Sequence, residues 1–292
     1  MVHIGLVILP SDRWREARRQ WQWADDAGFV TAWTYDHVRW GGMPDGPWLS
    51  AVPVLAAAAV VTERVRLGTL VATPNFRHPV TLARDALALD DLSGGRLDLG
   101  LGPGSSGPDA TALGQAAWPA PERMDRFEQF LQVIRPIVGG APSARTTVRT
   151  EHYAAVEVPS TPGAVQAPLP LTVAATGPRG LHLAAVYGQQ WVTHGPTGAD
   201  ARTPDDIFEG VRRQAARLDT ACTSVGRDPS SLDKVLLWTP TDVVPSSPDH
   251  FEALVGPYRE LGFDQVVLHH PEQTGPYGGS CRVFEEIVAR CG

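Results

Sequence analysis

The stretch VRLGTLVATPNFRHPVTLARDALALDDLSGGRLDLGLGPG, residues 65–104, decides the fold. A short Val- and Leu-rich run ends at the turn-forming Thr73, Pro74 and Asn75, and apolar residues then recur every three or four positions from Val80 to Leu92. Ser93, Gly94 and Gly95 close that segment, and a second apolar run follows to Gly102. The first and last runs read as buried strands and the middle as a helix ended by glycine. A strand, a helix and a second strand in this order predict a parallel pair joined by a helical crossover.

Outward from this unit the same alternation occupies the whole chain. Strand candidates are HIGLVIL (3–9), VTAWTY (30–35), RVRLGTLVA (64–72), RLDLGLG (96–102), LPLTVAAT (169–176), QQWVTH (189–194), KVLLWTP (234–240) and FDQVVLHH (263–270). Helical periods run from Trp14 to Ala27, Trp48 to Thr62, Val80 to Leu92 and Arg123 to Val138, and Gly28 and Gly262 stand where helix-ending glycines belong. Eight such repeats predict a single (β/α)8 barrel domain over residues 1–292, with a doubly wound open sheet as the alternative. Two Gly- and Pro-rich stretches, 102–121 and 139–168, interrupt the repeat as insertions after the fourth strand and fourth helix; TTVRT and YAAVEV in the second read as a hairpin.

The composition narrows the partners. Forty-three per cent of the 292 residues are hydrophobic and 20% charged, as in a globular chain able to bury a large core. A net charge of −7 argues against nucleic acid, whose phosphates are bound by clustered Lys and Arg. No apolar run reaches the ~18 residues of a membrane span, and MVHIGLVILPSDRW turns polar too early for a signal peptide. A cytoplasmic protein with no membrane partner is therefore expected. Cys222, Cys281 and Cys291 show neither CxxC spacing nor an even count, so they are expected to be buried or incidental thiols. The only Lys, Lys234, begins the seventh strand and so falls at the face opposite the strand ends.

In a (β/α)8 barrel the chemistry lies past the strand C-termini. Those positions are Ser11; Asp36 and His37; Thr73, Pro74 and Asn75; Gly102, Gly104 and Ser105; Thr176, Gly177 and Arg179; Thr193 and His194; Thr239; and His269 and His270. In TYDHVRW an acid and an imidazole follow an apolar strand, and an imidazole there can shuttle protons near neutral pH. The ordinary alternative is that Asp36 caps a turn and His37 packs at a loop base. Arg39, Trp40 and Trp48 nearby suit a planar ligand, and Trp40, Trp48 and Trp191 are candidate pocket walls. Thr176, Gly177 and Pro178 open a helix whose backbone N–H groups would bind an anion, with Arg179 as a fixed charge, unless this is a common βα turn. Gly102, Gly104 and Gly107 match GxGxxG, but after the fourth strand and beside Pro103 and Pro108 they read as a ligand-touching loop rather than a Rossmann turn. His194 and His269 are candidate pocket residues. Adjacent His269 and His270 point to opposite faces of a strand, and with no HExxH no metal site is expected.

GFVTAWTYDH, the quoted 65–104 stretch and AATGPRGLHLAAVYGQQWVTHG together resemble the luciferase-like flavin and deazaflavin oxidoreductases, and the likeness covers nearly the whole chain. The resemblance implies a barrel holding coenzyme F420, or alternatively FMN, in its mouth and exchanging hydride with a small organic substrate. It puts the Asp-His pair of the F420 branch on Asp36 and His37, with His37 as the proton-handling residue. It places a strand bulge, often with a non-prolyl cis peptide, near Leu70 and Val71, sets Thr73 toward the cofactor, and assigns phosphate contacts to Gly104, Ser105, Thr176, Gly177 and Pro178. A homodimer is a further expectation from the family. Sugar-phosphate dehydrogenases of the family carry a Glu where this chain has Ser105, so a reductase acting on C=C or C=N bonds is expected instead. An FMN-dependent monooxygenase, a silent flavin-binding barrel and a nicotinamide dehydrogenase are the competing readings.

Overall fold

The computed structural model describes residues 2–43, 45–196, 203–238, 245–271 and 280–291. Eight of its strands are parallel: β1 (His3–Val7), β2 (Thr31–Thr34), β3 (Arg66–Thr69), β4 (Leu97–Leu101), β7 (Leu171–Ala174), β8 (Gln190–Thr193), β9 (Asp233–Leu237) and β10 (Gln265–His269). They close into a barrel in the order β1-β10-β9-β8-β7-β4-β3-β2. Each lies inside its expected run or within a residue of it. The remaining pair, β5 (Arg145–Arg149) and β6 (Ala154–Pro159), is the antiparallel hairpin anticipated in the second insertion.

The helices α1 (Trp14–Asp26), α2 (Ala51–Ala59), α3 (Pro79–Leu92), α4 (Ala120–Val138), α5 (Pro178–Tyr187), α6 (Pro204–Ser224), α7 (Pro248–Glu260) and α8 (Cys281–Cys291) each follow one barrel strand, with the hairpin between α4 and β7. Their starts are written in the sequence. Thr203 forms a reciprocal capping box with Asp206 before α6, Ser247 accepts from the His250 N–H before α7, and Pro occupies the first turn of both. Gly28 and Gly262 sit at φ +86° and +81° just past α1 and α7, a conformation that glycine adopts without strain. The α2 helix starts three residues later than expected, at the Ser50 cap, and this leaves Trp48 in the loop above β2.

Strand pleating sorts the core into two shells. Ile4, Leu6, Ala32, Leu67, Leu97, Leu99, Leu171, Val173 and Trp191 point outward against the helices, where Trp21, Leu82, Phe127, Phe130 and Ile134 are buried. Val7, Leu9, Trp33, Tyr35, Leu70, Val192, Val235 and Val267 point inward and fill the barrel. Gly68 is required by this filling, since a Cβ there would run into the Trp33 ring. Beneath the apolar layer, Arg66 grips the buried Asp98 through two bonds of 2.6 and 2.9 Å and reaches Gln166 at 2.8 Å. Lys234 lies away from the strand C-termini, paired with Asp219 at 3.0 Å. Cys222 is a buried free thiol, while the side chains of Cys281 and Cys291 fall outside the described residues.

Candidate active site

The inward phase of β2 continues past its last residue, so Trp33, Tyr35 and His37 climb one wall toward the barrel mouth. His37 does not stand alone there. Its Nδ1 lies 2.5 Å from Oδ2 of Asp109, a residue 72 positions later in a short 3-10 turn, Pro108–Ala110. The other oxygen, Oδ1, accepts from the backbone N–H groups of Val38 and Arg39 at 2.9 and 2.8 Å. One carboxylate thus ties the loop after β4 to the end of β2 and fixes the imidazole. An ionised carboxylate only accepts, so the proton sits on Nδ1 and the neutral ring presents Nε2 as its acceptor. Sequence reading missed Asp109; its one signal was an acid in an otherwise Gly-, Pro- and Ala-rich strand-end loop.

Asp36, expected among the cofactor contacts, is 1% exposed, and both of its oxygens are engaged by Arg77 at 2.6 and 2.9 Å. It is therefore a buried anchor beneath His37 and not a group presented to a ligand. Arg77, the second residue that sequence reading passed over, is shared with the face of Phe76 at 5.1 Å. A cavity of about 280 Å³ beside His37 is lined by Val38, Trp48, Leu49, Ser50, Phe76 and Arg77.

The aromatic residues of the mouth touch one another. Trp40 and Trp48 pack at 5.3 Å between ring centroids, His37 stands 5.9 Å from Trp48 and 6.5 Å from Trp40, and Tyr35 meets Trp40 edge-on at 5.6 Å. Across β1, the Tyr35 hydroxyl lies 2.7 Å from His269 Nε2. Burial pushes the His269 imidazole down to about 3, opposed by a backbone hydrogen bond at Trp238. His194 shares the inward phase of Val192 and is exposed at its strand end. His270 points outward, with Trp23 and Phe284 against its ring, as adjacent strand positions require.

The ends of β3 and β4 form a polar cradle. The Leu70–Val71 peptide is cis and non-prolyl, and Leu70 and Val71 border the inner cluster. Gly102 faces Val71 so closely that a Cβ would come within 2.7 Å of its methyl group. Gly104, at φ +76°, has Asn75 where a side chain would go. Asn75 donates to the Ser105 carbonyl at 3.0 Å, and Ser105 itself is exposed. Two buried atoms in this cradle, Thr73 Oγ1 and Asn75 Oδ1, have no hydrogen-bond partner, nor does Trp48 Nε1. Such atoms carry a desolvation penalty that a polar ligand would relieve. On the far side, Gly177 caps α5 and lies exposed with Thr176 and Pro178, with nothing within 4 Å of where a Gly177 side chain would be.

Two further expected site residues are corrected. Trp191 is not a pocket wall: it is fully buried on the outward face of β8, donates its indole N–H to the Ala175 carbonyl at 2.9 Å and packs on Phe263. The alternation that turns Val192 and His194 inward turns Trp191 out. Arg179 is not a spare charge for an anion, because it pairs with Asp125 and Glu128 of α4, each at 2.6 Å. Thr239 lies outside the described residues. Among those residues, no group of three or more His, Cys, Asp or Glu side chains is arranged to hold a metal ion, and no helix is long and apolar enough to cross a membrane.

Comparison with known proteins agrees with this architecture. The family described as luciferase-like monooxygenase matches residues 3–268. An F420-dependent glucose-6-phosphate dehydrogenase of Beutenbergia cavernae is 30% identical, over 91% of this chain and 90% of that protein. Among solved structures, the coenzyme F420-dependent tetrahydromethanopterin reductase of Methanopyrus kandleri superposes with a TM-score of 0.76 at 20% identity, covering 99% of this chain and 97% of its own. An F420-dependent secondary alcohol dehydrogenase gives 0.79 at 18% identity over 99% of both chains. At these identities the two structures speak to the fold.

Proposed function

The chain belongs to the luciferase-like monooxygenase family, and from that premise we propose that it is a coenzyme F420-dependent oxidoreductase that reduces a small organic substrate in the mouth of its barrel. The observation that carries this reading is the pairing of a fixed imidazole, His37 on Asp109, with a neighbouring cradle whose buried Thr73 and Asn75 oxygens lack partners. The dehydrogenase from Beutenbergia cavernae, similar along nearly its full length, is named for the same coenzyme.

The residues present fit such a group. Thr73 and Asn75 offer a hydroxyl and an amide oxygen to the polar edges of a flat heterocycle, and Gly102 and Gly104 leave the backbone bare beside them. Ser105 and the start of α5, at Thr176, Gly177 and Pro178, are the phosphate-contacting candidates, using backbone N–H groups and a helix N-terminus. When bound, the deazaflavin supplies the hydride. His37 then holds or accepts a proton at Nε2 while Asp109 keeps the other ring nitrogen protonated and the ring fixed. Asp36 and Arg77 brace the loop that carries His37. Trp40 and Trp48 exclude water from one side of the mouth. One barrel domain, acting as a homodimer, completes the proposal.

Fluorescence titration of the purified protein with F420 and, separately, with FMN tests it. Quenching by F420 at micromolar or lower concentration is expected. Tight binding of FMN with none of F420 overturns the assignment in favour of a flavin monooxygenase.

A further inference from the structure

The cavity beside His37 has walls whose chemistry can be read residue by residue. Val38 and Leu49 are large apolar side chains left 47% and 39% exposed, and the half-buried rings of Trp48 and Phe76 complete the apolar lining. Apolar surface gathered in one concavity is stabilised by a ligand that covers it. Two of the described lining residues can carry charge, and both are already matched. Arg77 gives Nε and Nη2 to the two oxygens of Asp36 at 2.9 and 2.6 Å, and His37 Nδ1 lies 2.5 Å from Asp109 Oδ2. An ionic ligand would shed water there without gaining an unmatched counter-charge. The one hydroxyl among the described lining residues belongs to Ser50, the N-cap of α2. An N-cap serine oxygen ordinarily accepts from the N–H of the second or third helical residue. The third is Pro53, which has no N–H, and the Ser50 side chain makes no capping bond. Ser50 is exposed, so its hydroxyl is available to a ligand.

We propose that this cavity seats the ring portion of the substrate, a neutral compound of about fused-bicycle size whose oxygen hydrogen-bonds the Ser50 hydroxyl; that the ligand is the substrate rests on the oxidoreductase reading above. Size follows from volume. An engineered apolar cavity of about 150 Å³ holds benzene, and the cavity here is about 280 Å³. A single six-membered ring leaves it roughly half filled, and a fused pair fills it. The flat faces of Trp48 and Phe76 suit a planar partner. Because His37 forms part of the same wall, a ligand seated there touches the imidazole that handles the proton. The charge balance of the wall excludes phosphorylated sugars and free carboxylates from the class. Ser50 is the specificity-determining residue, and neither His37 nor Arg77 has to give up its carboxylate.

The test uses 1-tetralone as the probe, a neutral fused bicycle with one ketone oxygen. Its affinity for the purified protein is measured by equilibrium dialysis with no reductant present, so that nothing turns over. It is expected to bind at least about tenfold more tightly than 1-naphthoate, which has the size and a charge, and than cyclohex-2-enone, which has one ring. Ser50→Ala should weaken 1-tetralone about five- to tenfold, the worth of one neutral hydrogen bond, and leave tetralin, which lacks the oxygen, unchanged. The melting temperature of Ser50→Ala should stay at the wild-type value, because no capping bond is lost. The 1H–15N signal of the Trp48 indole, identified with Trp48→Phe, locates the ligand and should move as 1-tetralone is added. No binding of 1-tetralone, equal affinity for 1-naphthoate, an affinity indifferent to Ser50→Ala, or a Trp48 signal that stays fixed overturns the proposal. F420 is titrated by fluorescence on the same preparation, and its failure to bind would remove the oxidoreductase reading, and with it the word substrate, whatever 1-tetralone does.

Discussion

The substitution Asp109→Asn separates what the carboxylate does for the loop from what it does for His37. The two oxygens have divided duties: Oδ1 takes the Val38 and Arg39 N–H groups, and Oδ2 faces His37 Nδ1. In Asp109→Asn the amide oxygen must stay with the two backbone donors, because its NH2 group cannot accept from them. The NH2 group is therefore turned toward Nδ1, which must give up its proton and become an acceptor. The ring keeps its place and changes tautomer, with hydrogen now on Nε2.

The structural cost of that change is small, below about 1 kcal/mol, because the two backbone hydrogen bonds are kept and the one to His37 is replaced by one of reversed sense. Asp109→Ala instead strands two part-buried N–H groups, at about 1–3 kcal/mol, and should lower the melting temperature by several degrees. The assay is long-range 1H–15N correlation on protein labelled at histidine nitrogen, with His37→Gln identifying the signals. Wild type should show a protonated Nδ1 and Asp109→Asn a protonated Nε2, at nearly equal melting temperatures. Turnover should fall ~10²- to 10⁴-fold in Asp109→Asn, the range for losing a correctly protonated general base. An unchanged His37 tautomer in Asp109→Asn, or full turnover by that variant, would refute the assignment of Asp109 as the residue that sets His37.

Three further outcomes follow from other parts of the molecule. Trp191→Ala should cost about 3–5 kcal/mol by opening a cavity between β8 and the helices, while the folded protein keeps its F420 affinity; a stable variant with weakened binding would return Trp191 to the pocket. Arg77→Met leaves the Asp36 carboxylate buried without its partner and should destabilise by about 3–5 kcal/mol in chemical denaturation, an effect that Asp36→Asn combined with Arg77→Met should largely relieve. Asp25 is held below its ordinary value of 3.8: burial works to raise it, but the N–H groups of Val65, Glu63 and Arg64 outweigh that. A depressed folded-state value stabilises above the unfolded value and is lost as pH falls through the folded one. Melting temperatures measured from pH 6 to 2 should therefore fall less steeply below about pH 4 in Asp25→Asn than in wild type.

The barrel was legible because its signals are local. Runs of apolar residues, helical periods between them, and Gly28 and Gly262 at helix ends each report on a neighbourhood of about ten residues, and the structure honours them, with α2 shorter than its expected period. The hairpin at β5 and β6 was visible for the same reason. What stayed hidden was contact across the barrel mouth. Nothing near His37 in the sequence announces Asp109, 72 residues on, and nothing near Asp36 announces that Arg77 will consume its charge. Arg179 was misread for the converse reason: a helix N-terminus and an arginine look like an anion site until α4 brings Asp125 and Glu128 beside it.

The misplacing of Trp191 is different, since the sequence held the means to avoid it. Residues 190 to 194 alternate, so a strand that turns His194 toward the mouth must turn Trp191 toward the helices, and the two could not both line the pocket. The same rule read on β2 selects Trp33, Tyr35 and His37 together, and it is this shared phase that makes the mouth chemically interpretable. Trp33 fills the barrel over Gly68, Tyr35 lies above it within reach of His269, and His37 lies above that within reach of Asp109. A one-residue slip in β2 would send all three against the helix layer and bring Thr34 and Asp36 inside. The register is held against that slip by the pairing of Thr31 with Gly5 on one side and Arg66 on the other, and by Thr34, whose hydroxyl donates to the Ile8 carbonyl at 2.8 Å. Backbone pairing at Thr31 and the Thr34 hydroxyl thus fix the register of β2, and the register delivers a phenol and an imidazole to the mouth.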